Sequence, residues 1–409
     1  MKRALTFLVI AVVLFAGVSW LVAEIRAKHS AQLAAQRMQW QAERAELEGA
    51  LDAARQRPER VAPSIPLPGP STAQGPRRPT PEEIITQLRA LGSITGSPLR
   101  QQRSAVYWLE ELAQSGTAGW PAIRGFLARY EDFELDTSTL PGRPPRDRIP
   151  LDFAVPPSLR LGVFEVVRRI GGPDAFAILA ECLGATGRGI EVSYLSAALQ
   201  EMAPNQYRDK ILEVTRTLLA RAAPSSASPL DRNHREYLFG VLATFGDAGF
   251  VNDAQTQLVR ADSQVDRGAL KYLQQVLGAQ AVPLVANAYQ NPLLTNSAGK
   301  EPLARLALNF VGADAQADAF YQQTINDPML NRSHRKNLIE DLNQDGFADT
   351  RNLTPKDLPL IENRIRLIEQ LAPGAMDDAN AAAFKEAYKD LINMRAKITG
   401  QPPAGTALP

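Results

Sequence analysis

Apolar residues recur three and four positions apart through most of the chain beyond residue 82, the spacing that places them on one face of a helix. Each apolar stretch ends at a small residue, a short turn follows, and a second apolar stretch of helical spacing returns. The residue just before the small one is apolar in most units, as at Ile170, Met202, Phe245, Leu277 and Val311. This pattern predicts an all-α protein built from helical hairpins.

The small residues that end the first helices recur at nearly constant spacing. They are Gly171, Ala203, Gly246, Gly278, Gly312 and Gly346, separated by 32, 43, 32, 34 and 34 residues. The longest interval contains an insertion at residues 222–229. Glycine ends helices well because it adopts the left-handed conformation without strain. One hairpin of this size cannot bury its own apolar face, so the hairpins are expected to stack.

Two of these units show the design most clearly. Residues 159–183 read LRLGVFEVVRRIGGPDAFAILAECL, and residues 269–289 read ALKYLQQVLGAQAVPLVANAY. They resemble HEAT-like (armadillo-type) helical repeats, whereas the tetratricopeptide and ankyrin signatures are absent from the sequence. The resemblance covers roughly residues 80–400. It implies an α-solenoid that serves as a protein-binding scaffold, and it implies no catalytic residue.

The N-terminal residues predict a membrane segment. Lys2 and Arg3 precede twenty uncharged residues, 4–23, which as a helix would span about 30 Å, the thickness of a bilayer core. We therefore expect a transmembrane signal-anchor at 1–23, although a cleaved signal peptide is the alternative. The basic N-terminal side favours a cytoplasmic N-terminus. The location expected is the bacterial inner (cytoplasmic) membrane, single-pass, with a periplasmic or extracytoplasmic C-terminal domain.

Two connecting segments separate this anchor from the repeats. Residues 24–57 contain no proline and predict a helical stalk, in which Leu33, Trp40, Leu47 and Ala54 stand seven apart. These could form one seam of a coiled coil and hence a homodimer, or the stalk could be a single exposed helix. Eight prolines in residues 58–81 predict an extended linker. The solenoid is expected at 82–400 and a flexible tail at 401–409.

A proline-rich insertion interrupts the predicted solenoid at residues 140–157. It carries six prolines together with Arg143, Arg146 and Arg148. Because long insertions in compact domains are often functional, these arginines are the candidates for binding an unidentified protein or peptide partner. The alternative is a plain surface connection.

One turn resembles the first half of an EF-hand calcium loop. Asp341, Asn343, Asp345 and Asp349 occupy positions 1, 3, 5 and 9, and Gly346 occupies position 6. Position 12 is asparagine instead of the bidentate glutamate. The spacing predicts one structural calcium ion, and the alternative is that Gly346 simply ends a helix as Gly312 does.

Composition excludes several classes of function. The chain has 45 Lys+Arg against 44 Asp+Glu and a single cysteine, which argues against a nucleic-acid partner and against cysteine-based metal sites. The charge is unevenly distributed, because residues 1–81 carry a net charge of +5 and the remainder −4. Motifs for nucleophilic catalysis are absent from the sequence, so no enzyme is expected. The expectation is a membrane-anchored protein-binding scaffold; a structural tether in an envelope complex is the alternative, and an enzyme without a recognisable motif a remoter one.

Overall fold

The computed structural model describes residues 77–93, 97–136, 149–221, 228–375 and 377–401. Internal contacts divide the chain into residues 1–77 and 78–409, and almost all described residues belong to the second unit. The predicted signal-anchor at 1–23, the stalk at 24–57 and most of the linker at 58–81 lie outside the described residues. The tail at 402–409 also lies outside them.

The described residues form sixteen α-helices joined by turns and short 3₁₀ segments. The first eight are α1 Pro81–Ala90, α2 Pro98–Gln114, α3 Trp120–Leu127, α4 Leu159–Ile170, α5 Pro173–Ala185, α6 Gly189–Met202, α7 Arg208–Leu219 and α8 His234–Thr244. The others are α9 Val251–Thr256, α10 Arg267–Leu277, α11 Ala281–Tyr289, α12 Ser297–Leu308, α13 Ala315–Ile325, α14 Arg332–Glu340, α15 Leu358–Leu371 and α16 Asp378–Thr399. Since no strand occurs in this part of the chain, the all-α prediction is confirmed.

The helices pack as a repeating ladder. Every even-numbered helix from α2 to α16 contacts the next even-numbered one, and α1, α3, α5 and α7 form a parallel row on the other side, continued by the pair α11 and α13. Most helices thus pack against neighbours one or two places away along the chain, which is the contact pattern of a helical repeat. The buried apolar side chains form one continuous core that extends from Ile84 to Met394.

The turn glycines behave as the sequence predicts at five of the six positions. Gly171, Gly246, Gly278, Gly312 and Gly346 all have positive φ angles, between 57° and 86°. The sixth position, Ala203, has a φ of −144°, and the turn that follows it uses Asn205 at a φ of 63° instead. Asparagine tolerates this conformation better than other residues with a side chain, so the turn forms without glycine.

The prediction of a transmembrane helix preceding the solenoid is corrected. No helix within the described residues is long and apolar enough to cross a membrane. The physical reason is that these helices are amphipathic: the longest, α16, has 22 residues and buries Phe384 and Leu391 on one face, while Lys385, Glu386 and Lys389 lie on the other. The fold class is all-α without an added transmembrane helix among these residues. The finding does not support the signal-anchor, inner-membrane and periplasmic assignments.

Candidate functional site

The two insertions that interrupt the repeats emerge side by side. At the base of the first, Phe133–Leu135, which precedes the insertion, lies antiparallel to Pro157–Leu159, where it ends: the Leu135 N–H donates to the Pro157 carbonyl (3.0 Å) and the Leu159 N–H to the Phe133 carbonyl (3.1 Å). The second insertion returns to the described chain at Ser228, whose hydroxyl donates to the Glu134 carboxylate. The bases of both insertions are thereby joined.

Arg188, at the start of α6, connects the same bases through its guanidinium group. It donates to Asp132 (2.6 Å) before the first insertion, to Ser228 (3.4 Å) at the end of the second, and to Asp231 (2.9 Å) just after the second. Burial alone would lower the pKa of Arg188, but the hydrogen bonds to Asp231 and Asp132 raise it above its ordinary value. The arginine is therefore always charged and holds both bases against the end of one helix.

The joined bases of the two insertions, together with Arg188, are called the junction below. A buried ion pair lies beneath the junction. Arg160 on α4 donates twice to Glu191 on α6, at 3.0 and 3.2 Å, and once to the Leu127 carbonyl at 3.0 Å. Both side chains are at most 3% exposed. Thr186 donates to the same carboxylate at 2.8 Å. Such a fully hydrogen-bonded pair holds the starts of α4 and α6 in one register.

Asp132 links the residues of this buried ion pair to the base of the first insertion. Its carboxylate accepts from the backbone N–H of Arg160 (2.9 Å) as well as from Arg188. Burial raises the pKa of Asp132, and the two hydrogen bonds oppose that shift.

His234, the first residue of α8, connects the start of α6 to the next repeat. Its Nδ1 accepts the backbone N–H of Gly189 at 2.9 Å, and its side chain is buried. Burial lowers the pKa of His234. Gly189 is needed here because a Cβ would lie 2.3 Å from the His234 carbonyl oxygen. His234 thus forms a contact between two repeats.

A cavity of about 260 Å³ opens beside this junction, between α3 and α5. Tyr130 forms one side, with its ring 5.2 Å from the Arg160 guanidinium carbon, and it has a φ of 56°, unusual for a bulky side chain. Cys182 forms part of the wall, and burial raises the pKa of its thiol to about 11. A thiol of that pKa is almost wholly protonated at neutral pH and is a poor nucleophile.

The structure places only part of the predicted partner loop. Arg143, Arg146 and Arg148 lie outside the described residues. The part that is described, residues 149–157, packs on the repeats: the Tyr194 hydroxyl donates to the Leu151 carbonyl (3.2 Å), and the Phe153 ring stacks on Tyr194 at 5.6 Å. The end of the insertion is therefore part of the core, contrary to a surface loop over its whole length.

The residues of the predicted calcium loop have partners within the chain. Arg305 donates to Asp341 (2.6 Å) and lies 3.8 Å from Asp345. Asn343 donates to Asp390 at 2.6 Å, and Asp349 accepts from the Arg351 N–H and from the Asn352 side chain.

A second arginine occupies the centre of the same turn. The side chain of Arg364, on α15, donates to the carbonyls of Asp345 (2.6 Å) and Leu342 within the loop. In the described part of the chain, no group of three or more His, Cys, Asp or Glu side chains is arranged to hold a metal ion. Arg305 and Arg364 bring positive charge to this turn, and calcium at Asp341, Asn343, Asp345 and Asp349 stays a prediction from spacing.

The sequence did not single out the residues that build the junction. Asp132, Arg160, Arg188, Glu191 and Ser228 belong to no motif, and apart from Arg188 and Glu191 they are far apart in the chain. The available signal was their position in the chain, since Asp132 precedes the first insertion, Ser228 lies at the end of the second, and Arg188 directly precedes a helix. Only the stacking of α4, α6 and α8 brings them together.

Comparison of the chain with protein-family models, with curated proteins and with solved structures gives no match. The arrangement of the site itself is therefore the basis for a function.

Proposed function

We propose that this protein is a binding scaffold, a HEAT-like α-solenoid that holds a protein or peptide partner at the face where its two insertions emerge. The observation that carries the proposal is the joining of both insertion bases through Arg188, Ser228 and Glu134. Loops that are held by a rigid framework are the usual place for binding residues.

The junction gives the insertions a firm support. Arg160 and Glu191 are buried and fully hydrogen-bonded beneath it, and the helices that carry them are packed into the continuous core. Binding residues on a fixed base lose less conformational entropy when a partner binds. A built and buried polar support of this kind favours a recognition face over a plain connection.

The sequence of the first insertion indicates the chemistry of the partner. Arg143, Arg146 and Arg148 bring three guanidinium groups within six residues, and prolines surround them. Arginine forms bidentate hydrogen bonds with carboxylates. The partner surface is accordingly an acidic segment of a protein or peptide.

The HEAT-like resemblance of residues 159–183 and 269–289 supports the same function, because such repeats are mainly protein-binding scaffolds. The ladder of contacts between alternate helices is the packing that this architecture requires.

The test compares two triple variants of the full chain by quantitative affinity capture from the native source. Arg143→Ser/Arg146→Ser/Arg148→Ser changes the insertion, and Arg100→Ser/Arg103→Ser/Arg267→Ser changes three exposed arginines elsewhere. We expect at least one protein that the wild-type chain and the control variant retain equally and that the insertion variant retains at least tenfold less. Equal capture by both variants would contradict the proposed face and would favour a structural tether.

A further inference from the structure

A cavity of about 140 Å³ lies between α13, α15 and α16, far along the chain from the insertions. Three exposed amide side chains stand at its mouth, Gln322, Asn326 and Gln370, while Leu371 and Phe384 form apolar walls. None of the described residues that line it carries a charge. The lining therefore suits a neutral group that is partly polar and partly apolar.

The inner part of the cavity contains a polar side chain without a partner. Asn380 is 1% exposed, and among the described residues neither its Oδ1 nor its Nδ2 has a hydrogen-bond partner. Its backbone N–H is already used, because it donates to the Asp377 carboxylate (2.9 Å) that caps α16. The observation does not depend on which way round the amide is placed, since both of its polar atoms are unpaired.

Such an arrangement is costly unless something pairs with the amide. Leaving a buried donor or acceptor unpaired destabilises the folded protein, and native proteins leave few such groups. Asn380 needs a donor for its oxygen and an acceptor for its nitrogen at the same time.

A primary carboxamide meets both needs with one group. Its oxygen and one of its N–H bonds lie on the same edge, so it can form a pair of hydrogen bonds with the corresponding edge of Asn380. A secondary amide in the usual trans form carries its N–H and its oxygen on opposite sides and can make only one of them. A carboxylate offers acceptors alone, and its charge would be buried without a counter-ion.

The size of the cavity sets the rest of the ligand. At about 140 Å³ it is smaller than the pockets that hold drug-sized ligands, and it has room for the amide with two or three carbons against Leu371 and Phe384. These are the dimensions of a glutamine or asparagine side chain or of a small free amide.

We propose that the cavity between α13, α15 and α16 is a binding site for a primary carboxamide group, which pairs with Asn380. The group is either a glutamine or asparagine side chain of a polypeptide or a small free amide. The site is independent of the proposed partner face at the insertions.

The probe for the group itself is butyramide, titrated into the full chain labelled with ¹⁵N-asparagine and observed by NMR. We expect a saturable shift of the Asn380 side-chain resonances. N-methylbutyramide and butyrate, which lack the paired edge or carry a charge, should bind at least tenfold more weakly. Equal binding of all three compounds would overturn the proposal, as would the absence of saturable binding, which would leave ordered water only as the partner of Asn380.

Variants separate binding from folding. Asn380→Leu removes both polar atoms at similar volume, and we expect it to keep or exceed wild-type stability in urea while butyramide binding falls at least tenfold. Gln322→Leu, at the mouth, should weaken binding, whereas Gln323→Leu, its exposed neighbour outside the cavity, should not. Wild-type affinity in Asn380→Leu, measured by the saturation-transfer signal of butyramide, would contradict the site.

Two capped peptides distinguish the sources of the group. N-acetyl-Ala-Gln-Ala-N-methylamide carries the carboxamide on a side chain, and the matching glutamate peptide lacks it. Binding of the glutamine peptide at least tenfold above the glutamate peptide supports a polypeptide ligand. Binding of butyramide without either peptide supports a small free amide. If none of the three binds, the proposal fails whatever the result at the insertions.

Discussion

The contact between His234 and Gly189 requires a neutral imidazole. The Gly189 N–H donates to Nδ1 at 2.9 Å, so that nitrogen must carry no proton. Asp231 favours the charged imidazolium while burial and Arg235 oppose it, and the outcome is a lowered pKa. His334 stands at the matching place one ladder position before the C-terminal helices, but its Nδ1 meets the Ser297 hydroxyl at 2.8 Å. A hydroxyl can donate or accept, so in this second contact either the Ser297 oxygen or the His334 Nδ1 can be the donor.

The stability of the protein should consequently depend on pH through His234. In the unfolded chain the histidine has its ordinary pKa of about 6.5, and in the folded protein the pKa is lower. As the pH falls below about 6.5 the unfolded state binds a proton that the folded state does not, so the free energy of unfolding decreases. His234→Asn, which keeps an acceptor without titrating, should remove this component.

The measurement is urea unfolding between pH 5.5 and 7.5. Wild type should lose stability more steeply on acidification than His234→Asn, because only the wild-type chain carries the buried imidazole whose pKa is lowered. Parallel curves for wild type and His234→Asn would show that His234 does not contribute.

At the scale of elements, one arginine joins the C-terminal helices to the last repeats. Arg364 on α15 is fully buried, and its guanidinium donates to the carbonyls of Leu308 (2.8 Å), Val311 (2.8 Å), Asp345 and Leu342. These carbonyls lie at or just beyond the C-terminal ends of α12 and α14, where the helix dipole is negative. Burial lowers the pKa of Arg364 to about 10, so it stays charged at neutral pH.

Gly346 makes this approach feasible. Its φ is 86°, and a Cβ there would lie 2.8 Å from Nη2 of Arg364. The glycine therefore both ends its repeat and leaves space for the guanidinium.

Replacing Arg364 should separate the two elements that it joins. Arg364→Met leaves the carbonyls without their donor, and we expect a loss of at least about 2 kcal/mol in the free energy of unfolding, because each buried acceptor left unpaired costs about 1–3 kcal/mol. Arg366→Met, on the exposed side of the same helix, should change it by less than about 0.5 kcal/mol. Equal urea midpoints for the two variants would refute the role assigned to Arg364.

At the scale of the whole molecule, the ladder of contacts makes stability a property of neighbours. Each even-numbered helix from α2 to α14 contacts the next even-numbered one, and the extensive contacts within the described part of the chain join helices no more than two places apart. In such stacks the free energy is close to a sum over units and the interfaces between adjacent units. Local damage should therefore spread to adjacent hairpins and decline with distance.

Hydrogen exchange can show this directly. Leu273→Ala in α10 removes a fully buried side chain and should cost about 2–5 kcal/mol, with lost protection concentrated in α8, α10 and α12. Leu88→Ala in α1, equally buried, should instead reduce protection in α1 to α4. If either variant lowered protection uniformly along the chain, the repeats would unfold as one cooperative unit.

The periodic part of this fold was readable from residues that are close in the chain. Helical spacing of apolar residues gave the hairpins, and glycines such as Gly312 and Gly346 marked their ends, because helix formation and termination depend on residues within a few positions. Ala203 escaped the rule since Asn205, two residues later, supplied the positive φ instead.

The sites were not readable in this way. The spacing of Asp341, Asn343 and Asp345 suggested a cation at this turn. The positive charges that lie against the turn belong to Arg305 and Arg364, on two other helices. The junction at Arg188 and the unpaired amide of Asn380 likewise depend on which helices stack.

Local sequence thus determined the helices, their ends and their repetition, since each is decided by short-range backbone conformation and by the burial of one face. Tertiary structure alone decided which polar groups meet. Arg188 finds Asp132 and Asp231 only because α4, α6 and α8 lie side by side, and Asn380 is left without a partner only because α13 and α15 cover it. Electrostatic and hydrogen-bonding partners act over a few ångströms in space, and no spacing along the chain encodes that distance.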